Sequence, residues 1–208
     1  MAIAIIDYGM GNVRSLMNAF EFIGEEAAVT RDLDALAAAD RLVLPGVGAF
    51  GDAMAALRAT DLVAPLSRFA LEERKPVLGV CLGMQLFARR SREHGAHEGL
   101  GWLDAEVLPL EVAPPAKVPH VGWNELAFAP EDWLFRGVPA QQTDFYFVHS
   151  FHMVCNDPTD VVATTDHGGT ITAVVRRDNL VAAQFHPEKS QDNGLQLLTN
   201  WMAHDFAC

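Results

Sequence analysis

The chain alternates short apolar runs with segments whose apolar residues recur at helical spacing, and that alternation predicts its elements. Ala2 to Ile6, Ala27 to Thr30, Arg41 to Leu44 and Val77 to Val80 read as strands. The last is bounded by Pro76 and has the continuous apolar character of a strand buried on both faces of a parallel sheet. Gly9-Met10-Gly11-Asn12 reads as a tight loop whose Asn12 caps a helix. Val13, Leu16, Met17, Phe20 and Ile23 share one face of that helix, and Gly24 stops it. Asp32 to Ala39 suggests a helical turn or two, and Met84 to Arg90 a further helix. Strand and helix in alternation build a parallel sheet with helices on both sides, and ligands collect at the carboxyl ends of its strands. Pro45 to Gly48 and Cys81 both sit at such ends.

After Arg92 the texture changes, because Gly95, Gly99, Gly101, Pro109, Pro114, Pro115 and Pro119 break any helical pattern. Phe145 to Val148, Val161 to Thr165, Ile171 to Val175 and Leu180 to Phe185 have β composition. Arg177-Asp178-Asn179 supplies turn chemistry between the last two. Leu195 to Phe206 closes the chain as a helix. The expected fold is α/β: an open, mostly parallel central sheet with helices on both faces and a strand-rich C-terminal half, forming one domain over residues 1–208.

Composition narrows the function. A formal net charge of −12, with no run of Lys or Arg, argues against a nucleic-acid surface and favours small-molecule or protein partners. Cysteines stand at 81, 155 and 208 without a C-x-x-C pair, which speaks for a reducing compartment and against disulfides or zinc. The N-terminus lacks signal-peptide character and no apolar stretch reaches about 18 residues, so a cytoplasmic, non-membrane protein is expected. The pairs His94–His97 and His149–His152 have no carboxylate or cysteine cluster to complete a metal site, and no motif calls for a cofactor.

The chemistry centres on Gly79-Val80-Cys81-Leu82-Gly83. A glycine on each side of a nucleophile between strand and helix is the pattern of a sharp elbow, where a flanking side chain would strike neighbouring backbone. A helix start would lower the thiol pKa from about 8.5 into a range of roughly 3.5 to 7.5. The same residues also fit a buried structural cysteine. His186 and Glu188 follow the last strand two residues apart and so face the same way, with Pro187 fixing the spacing. Beside the elbow they would complete a nucleophile, base and orienting carboxylate. Pro45-Gly46-Val47-Gly48 suits an oxyanion hole, with one N–H from Leu82 and another from Val47 or Gly48.

Together the G-x-C-x-G elbow and the downstream His-Pro-Glu resemble the class I glutamine amidotransferases across the whole chain. More narrowly, Asp7 to Asn12, Pro45 to Gly48, Gly79 to Gln85, Pro119-His120-Val121-Gly122-Trp123-Asn124 and His186 to Ser190 resemble the glutaminase subunits of imidazole glycerol phosphate synthase. Leu108-Pro109-Leu110 departs from that pattern, where a basic and aromatic pair is expected. The resemblance implies hydrolysis of glutamine through a Cys81 thioester, with ammonia passed to a separate (β/α)8-barrel cyclase subunit in a heterodimer of histidine biosynthesis. It places Gln85 and the backbone around Gly48, Ser150 and Phe151 near the substrate. Gln85 also lies one helical turn after Cys81, within reach of a ligand at the sulfur. Asn12, Trp123, Asn124, Tyr146 and Lys189 resemble the family's surface toward the cyclase.

Competing readings are a glutaminase of the anthranilate synthase type, a stand-alone cysteine hydrolase, and a binding module without chemistry. A hydrolase acting alone does not account for Pro119 to Asn124. A module without chemistry has no reason to keep Cys81, His186 and Glu188 together.

Overall fold

A computed structural model describes residues 1–206, so Cys208 lies outside the described residues. Its centre is an eight-stranded sheet built from β1 (Ile3–Ile6), β2 (Ala27–Thr30), β3 (Arg41–Leu44), β4 (Val77–Val80), β9 (Ala127–Phe128), β12 (Val161–Asp166), β13 (Thr170–Arg177) and β14 (Leu180–Ala183). The spatial order is β2-β1-β3-β4-β14-β13-β12-β9. In that order β2 through β14 run parallel, and β13, β12 and β9 extend the sheet antiparallel.

The apolar runs are continuous because each inner strand faces a core on both sides. Ile3 and Ile5 of β1, with Val43, Leu78, Val80 and Val181, pack against α1 (Val13–Phe22) and α6 (Gln191–Ala203). Ala4, Ile6, Leu42, Leu44, Val77 and Ala182 face the other way, onto α2 (Leu33–Ala38), α3 (Phe50–Ala59), α4 (Val63–Ser67) and α5 (Leu82–Leu86). The remaining strands form two small sheets. β8 (His120–Glu125) pairs with β10 (Asp144–His149), while β5 (Arg90–Ser91), β6 (His97–Glu98), β7 (Ala105–Pro109) and β11 (Phe151–Cys155) make the other. Leu108 and Pro109 sit in regular register with His152 and Phe151, so the departure from the family pattern leaves that pairing intact.

Several expectations need correction. Asn12 does cap α1, accepting from Ser15 N, but Met17 is exposed and Ala19 takes the inward position instead. The helix expected over Met84 to Arg90 is the shorter α5. After Leu86 the chain finds backbone partners in the following loop: Phe87 O accepts from Leu103 N, and Arg89 N donates to Ala105 O. α6 begins at Gln191, not Leu195, and ends at Ala203, not Phe206. Its start is possible because Gly194 lies against the Pro187 carbonyl, where a Cβ would come within 1.9 Å of the oxygen. Its end is set by Arg41, whose Nη2 takes the carbonyls of Met202 and His204. α3 and α4 are additions to the pattern-based reading. No helix among the described residues is long and apolar enough to cross a membrane.

Candidate active site

Cys81 stands between β4 and α5 with φ 55° and ψ −111°, a conformation that L-residues rarely adopt. Strain of about 1–3 kcal/mol is expected for such a residue and persists only where the surroundings impose it. Here Cys81 N donates to Ala183 O at 2.8 Å on the neighbouring strand, and Cys81 O accepts from Met84 N and Gln85 N. The glycine spacing has the expected cause. A Cβ on Gly83 would lie 1.9 Å from Leu44 O, and one on Gly79 would press on Ala182 Cβ at 2.9 Å. The elbow therefore projects the sulfur at the carboxyl end of the sheet. Because α5 has five residues, its dipole is much smaller than the longer helix would have supplied.

β14 is hydrogen-bonded beside β4, which brings the residues after Ala183 to the elbow. His186 Nδ1 meets Glu188 Oε1 at 2.8 Å, leaving the other ring nitrogen for Cys81. Burial acts to lower the His186 pKa, but hydrogen bonds to Cys81 and Glu188, and the charges of both, raise it from 6.5 to about 9. The three predicted triad residues are thus assembled.

Cys81 and His186, with Glu188 buried behind the imidazole, border a cleft of about 420 Å³ lined also by Val47, Gly48, Leu82, Gln85, Ser150, Phe151 and Lys189. Every residue predicted for the oxyanion hole or for glutamine is on this wall. The Pro45–Gly48 loop lies directly on the elbow, since a Cβ on Gly46 would stand 2.7 Å from Gly83 N. Gln85 is turned partly inward: its Nε2 donates to Phe151 O at 2.9 Å and to Gln184 Oε1 at 3.0 Å. A second cleft of about 490 Å³ opens between Trp123 and the start of α6, but it contains neither the thiol nor a histidine. Among the described residues no group of three His, Cys, Asp or Glu side chains is arranged to hold a metal ion.

Trp123 and Lys189 are exposed on either side of the half-buried Tyr146, with ring centroids of the aromatic pair 5.9 Å apart and Lys189 Nζ 5.9 Å from the centroid of the Tyr146 ring. Asn12 and Asn124 are committed within the fold, Asn12 as the α1 cap and Asn124 through Nδ2 to His120 Nε2 at 3.2 Å and Asp166 O at 2.8 Å.

Residues 4–204 match the family "Glutamine amidotransferase class-I". Among curated relatives, "Imidazole glycerol phosphate synthase subunit HisH 2" of Nitrobacter winogradskyi is 47% identical over 96% of this chain and 97% of its own length. The HisH subunit of Aquifex aeolicus is 48% identical over 97% and 96%. The chain belongs to the class-I glutamine amidotransferases, among the HisH subunits. Solved structures share the fold. PurLQS from Thermotoga maritima superposes with TM-score 0.73 at 20% identity, covering 97% of each chain. A further glutamine amidotransferase gives 0.70 at 20% identity, covering 97% of this chain and 99% of that one.

For a glutamine amidotransferase of this kind, the cleft and the layer of residues behind it hold groups that sequence reasoning missed. Glu93 lines it and accepts from Phe50 N at 2.6 Å; no local motif marks it, because a turn between short strands carries it there. His149 lines it too. Its Nε2 meets His120 Nδ1 at 3.0 Å, and its Nδ1 meets Phe151 O at 2.9 Å. Burial is the main cause that lowers both imidazoles, His120 to about 4 and His149 to about 3. Tyr8 donates to Pro45 O at 2.7 Å beneath the glycine loop, and its pKa is raised by burial and by the nearby Cys81. Gln184 reaches Cys81 itself, and its signal was legible: it stands two residues before His186, on the same side of an extended chain.

Proposed function

We propose that Cys81, His186 and Glu188 carry out the glutaminase reaction of this HisH-family subunit. The observation that carries the assignment is the buried His186–Glu188 contact set beside a strained cysteine at a strand end. His186 takes the thiol proton through the ring nitrogen not held by Glu188, and Cys81 Sγ attacks the side-chain carbonyl carbon of glutamine. The negative charge forming on that carbonyl oxygen is met by N–H groups of Leu82 and of Val47 or Gly48. Collapse expels ammonia, which takes its proton from His186 and leaves a thioester on Cys81. Water, activated by the same imidazole, then releases glutamate and restores the thiol.

Substrate recognition follows from the lining. The α-ammonium of glutamine calls for an anionic or carbonyl partner, which Glu93 and the Gln85 carbonyl supply. Backbone of Gly48, Ser150 and Phe151 borders the rest of the ligand.

The ammonia passes to a (β/α)8-barrel cyclase subunit, which uses it to form imidazole glycerol phosphate in histidine biosynthesis. One face of the β8–β10 ribbon supports a docking surface. Register places Tyr146 opposite Trp123 and Val148 opposite Val121, and Val121, Trp123 and Val148 are exposed. Lys189 beside Tyr146 extends that face, and the resemblance adds Asn12 and Asn124 to the surface toward the cyclase. The chain acts as one domain in the cytoplasm, a placement supported by cysteine usage suited to a reducing compartment.

The test mixes Cys81→Ala with the cyclase subunit. Synthesis from glutamine should vanish while synthesis from ammonium salt at alkaline pH persists. Retained glutamine-dependent turnover removes Cys81 from the mechanism.

A further inference from the structure

Gln184 is fully buried and its amide makes two contacts of opposite polarity. Nε2 donates to Cys81 Sγ at 3.9 Å, and Oε1 accepts from Gln85 Nε2 at 3.0 Å. Gln85 gives its other amide hydrogen to Phe151 O at 2.9 Å. The chain of bonds therefore has a direction, from Gln85 through Gln184 to the sulfur. Turning the Gln184 amide over would set its N–H groups against those of Gln85 and its carbonyl against Sγ, so neither amide is free to flip. The sulfur has a second polar neighbour of the reverse sense, Val148 O at 4.0 Å. A thiol can donate to that carbonyl. A thiolate can only accept, and the amide of Gln184 is a donor already aimed at it.

We propose that Gln184 is a positioning residue of the glutaminase reaction, donating a hydrogen bond to the Cys81 thiolate while its carbonyl holds Gln85 turned with its own oxygen toward the substrate. The proposal rests on Cys81 being the nucleophile. No bond is made or broken at Gln184. Its donor meets negative charge on sulfur twice in the cycle: before attack, once the proton has moved to His186, and again when the thiolate leaves on hydrolysis of the thioester. The long N···S separation is that of a resting site, and contacts of this kind tighten as charge develops. Its carbonyl also links the nucleophile to the substrate wall, because Gln85 is oriented by the same amide.

The experiment compares Gln184→Glu and Gln184→Met with wild type, each in complex with the cyclase subunit. One readout is the rate of iodoacetamide labelling of Cys81, followed by peptide mapping from about pH 6 to about pH 10. The other is the separate measurement of kcat and KM for glutamine. Gln184→Glu keeps the acceptor for Gln85 but turns a carboxylate on the sulfur. Labelling near neutral pH should slow by more than tenfold and recover in alkali, kcat should fall at least as far, and KM should stay within about twofold. Gln184→Met removes both contacts at similar volume. Labelling should slow by about tenfold, and KM should rise because Gln85 is released.

A residue that merely fills space would change thermal stability and leave the pH profile of labelling where it was. A folded variant of either kind whose labelling profile superimposes on wild type overturns the proposal. If Gln184→Met fails to fold, the closely isosteric Gln184→Glu decides alone. Failure of the nucleophile assignment is seen separately, as wild-type labelling that spares Cys81, and it removes this proposal with it.

Discussion

His186 Nδ1 lies 2.8 Å from Glu188 Oε1 with only Pro187 between the two residues in the chain, and both side chains are almost wholly buried. The proline ring fixes its own φ and biases His186 to the extended conformation observed, φ −99° and ψ 98°. An imidazole so held is a stronger base than a free one, because its two neighbours favour the protonated form over the effect of burial.

The first prediction concerns that poise. Removing the sulfur in Cys81→Ala deletes one of the two groups that raise His186 against burial, so its pKa should fall from about 9 toward or below its ordinary value of 6.5. NMR titration of labelled histidine reads it directly. A raised folded-state value means the stabilisation from protonated His186 is complete below about 6.5 and is lost as pH rises through about 9. Urea unfolding of wild type should weaken across that window, and Cys81→Ala should weaken less. An unchanged His186 titration in Cys81→Ala would falsify the coupling.

A second prediction separates the two partners of the imidazole. His186→Asn removes the group proposed to move protons and should lower kcat for glutamine by about 10² to 10⁴-fold. Glu188→Gln leaves a hydrogen-bonding group beside Nδ1 and should cost less. Steady-state kinetics on folded variants decide it, and the reverse order would reassign the roles.

Much of this site is legible in the sequence, and the reasons are local. Gly79 and Gly83 mark the elbow because backbone and side-chain atoms occupy the space their side chains would need. Buried parallel strands announce themselves as apolar runs, so β3 and β4 begin and end where the pattern placed them, as does the part-exposed edge strand β2. What was not legible depends on contacts distant in sequence. α5 stops at Leu86 because residues 99–105 compete for its backbone groups, and nothing near Phe87 records that. Glu93 reaches the cleft by a turn without sequence signature. His120 and His149 meet because β8 pairs with β10, which fixes their register across 29 residues of chain.

That histidine pair gives the third prediction. Both are buried and held neutral, with values near 4 and 3 against 6.5 when unfolded. The unfolded chain therefore binds protons that the folded one refuses as pH falls below about 6.5, and stability is lost progressively toward about pH 4. The limiting slope is about 1.4 kcal/mol per pH unit for each histidine. His120→Gln retains hydrogen-bonding groups toward His149 and Asn124 without titrating. Its unfolding midpoint in urea should fall less than that of wild type between neutral pH and about pH 5. Equal acid sensitivity in the two proteins would show that the loss arises elsewhere.

The last prediction tests the docking face. β8 and β10 form a two-stranded sheet of their own, so one side of the ribbon can be buried while the other is free to meet a partner. The inward side carries His120, Phe145, Phe147 and His149, all buried. The outward side carries Val121, Trp123, Tyr146 and Val148, and Trp123 is 47% exposed. A large aromatic at the centre of an apolar patch, flanked by a second ring and a lysine, has the character of a binding hot spot, for which truncation typically costs about 2 kcal/mol or more. Trp123→Ala should therefore weaken association with the cyclase subunit by about 30-fold. Electrophile labelling of Cys81 in the isolated chain should be unaltered, because the Trp123 ring lies outside the cleft. Leu71→Ala serves as control. Leu71 is 50% exposed and precedes the amino end of β4, at the opposite end of the sheet from Cys81, so its loss should leave affinity within about twofold. Calorimetric titration of the two variants with the cyclase measures both. Equal affinities for wild type and Trp123→Ala would move the interface off the ribbon.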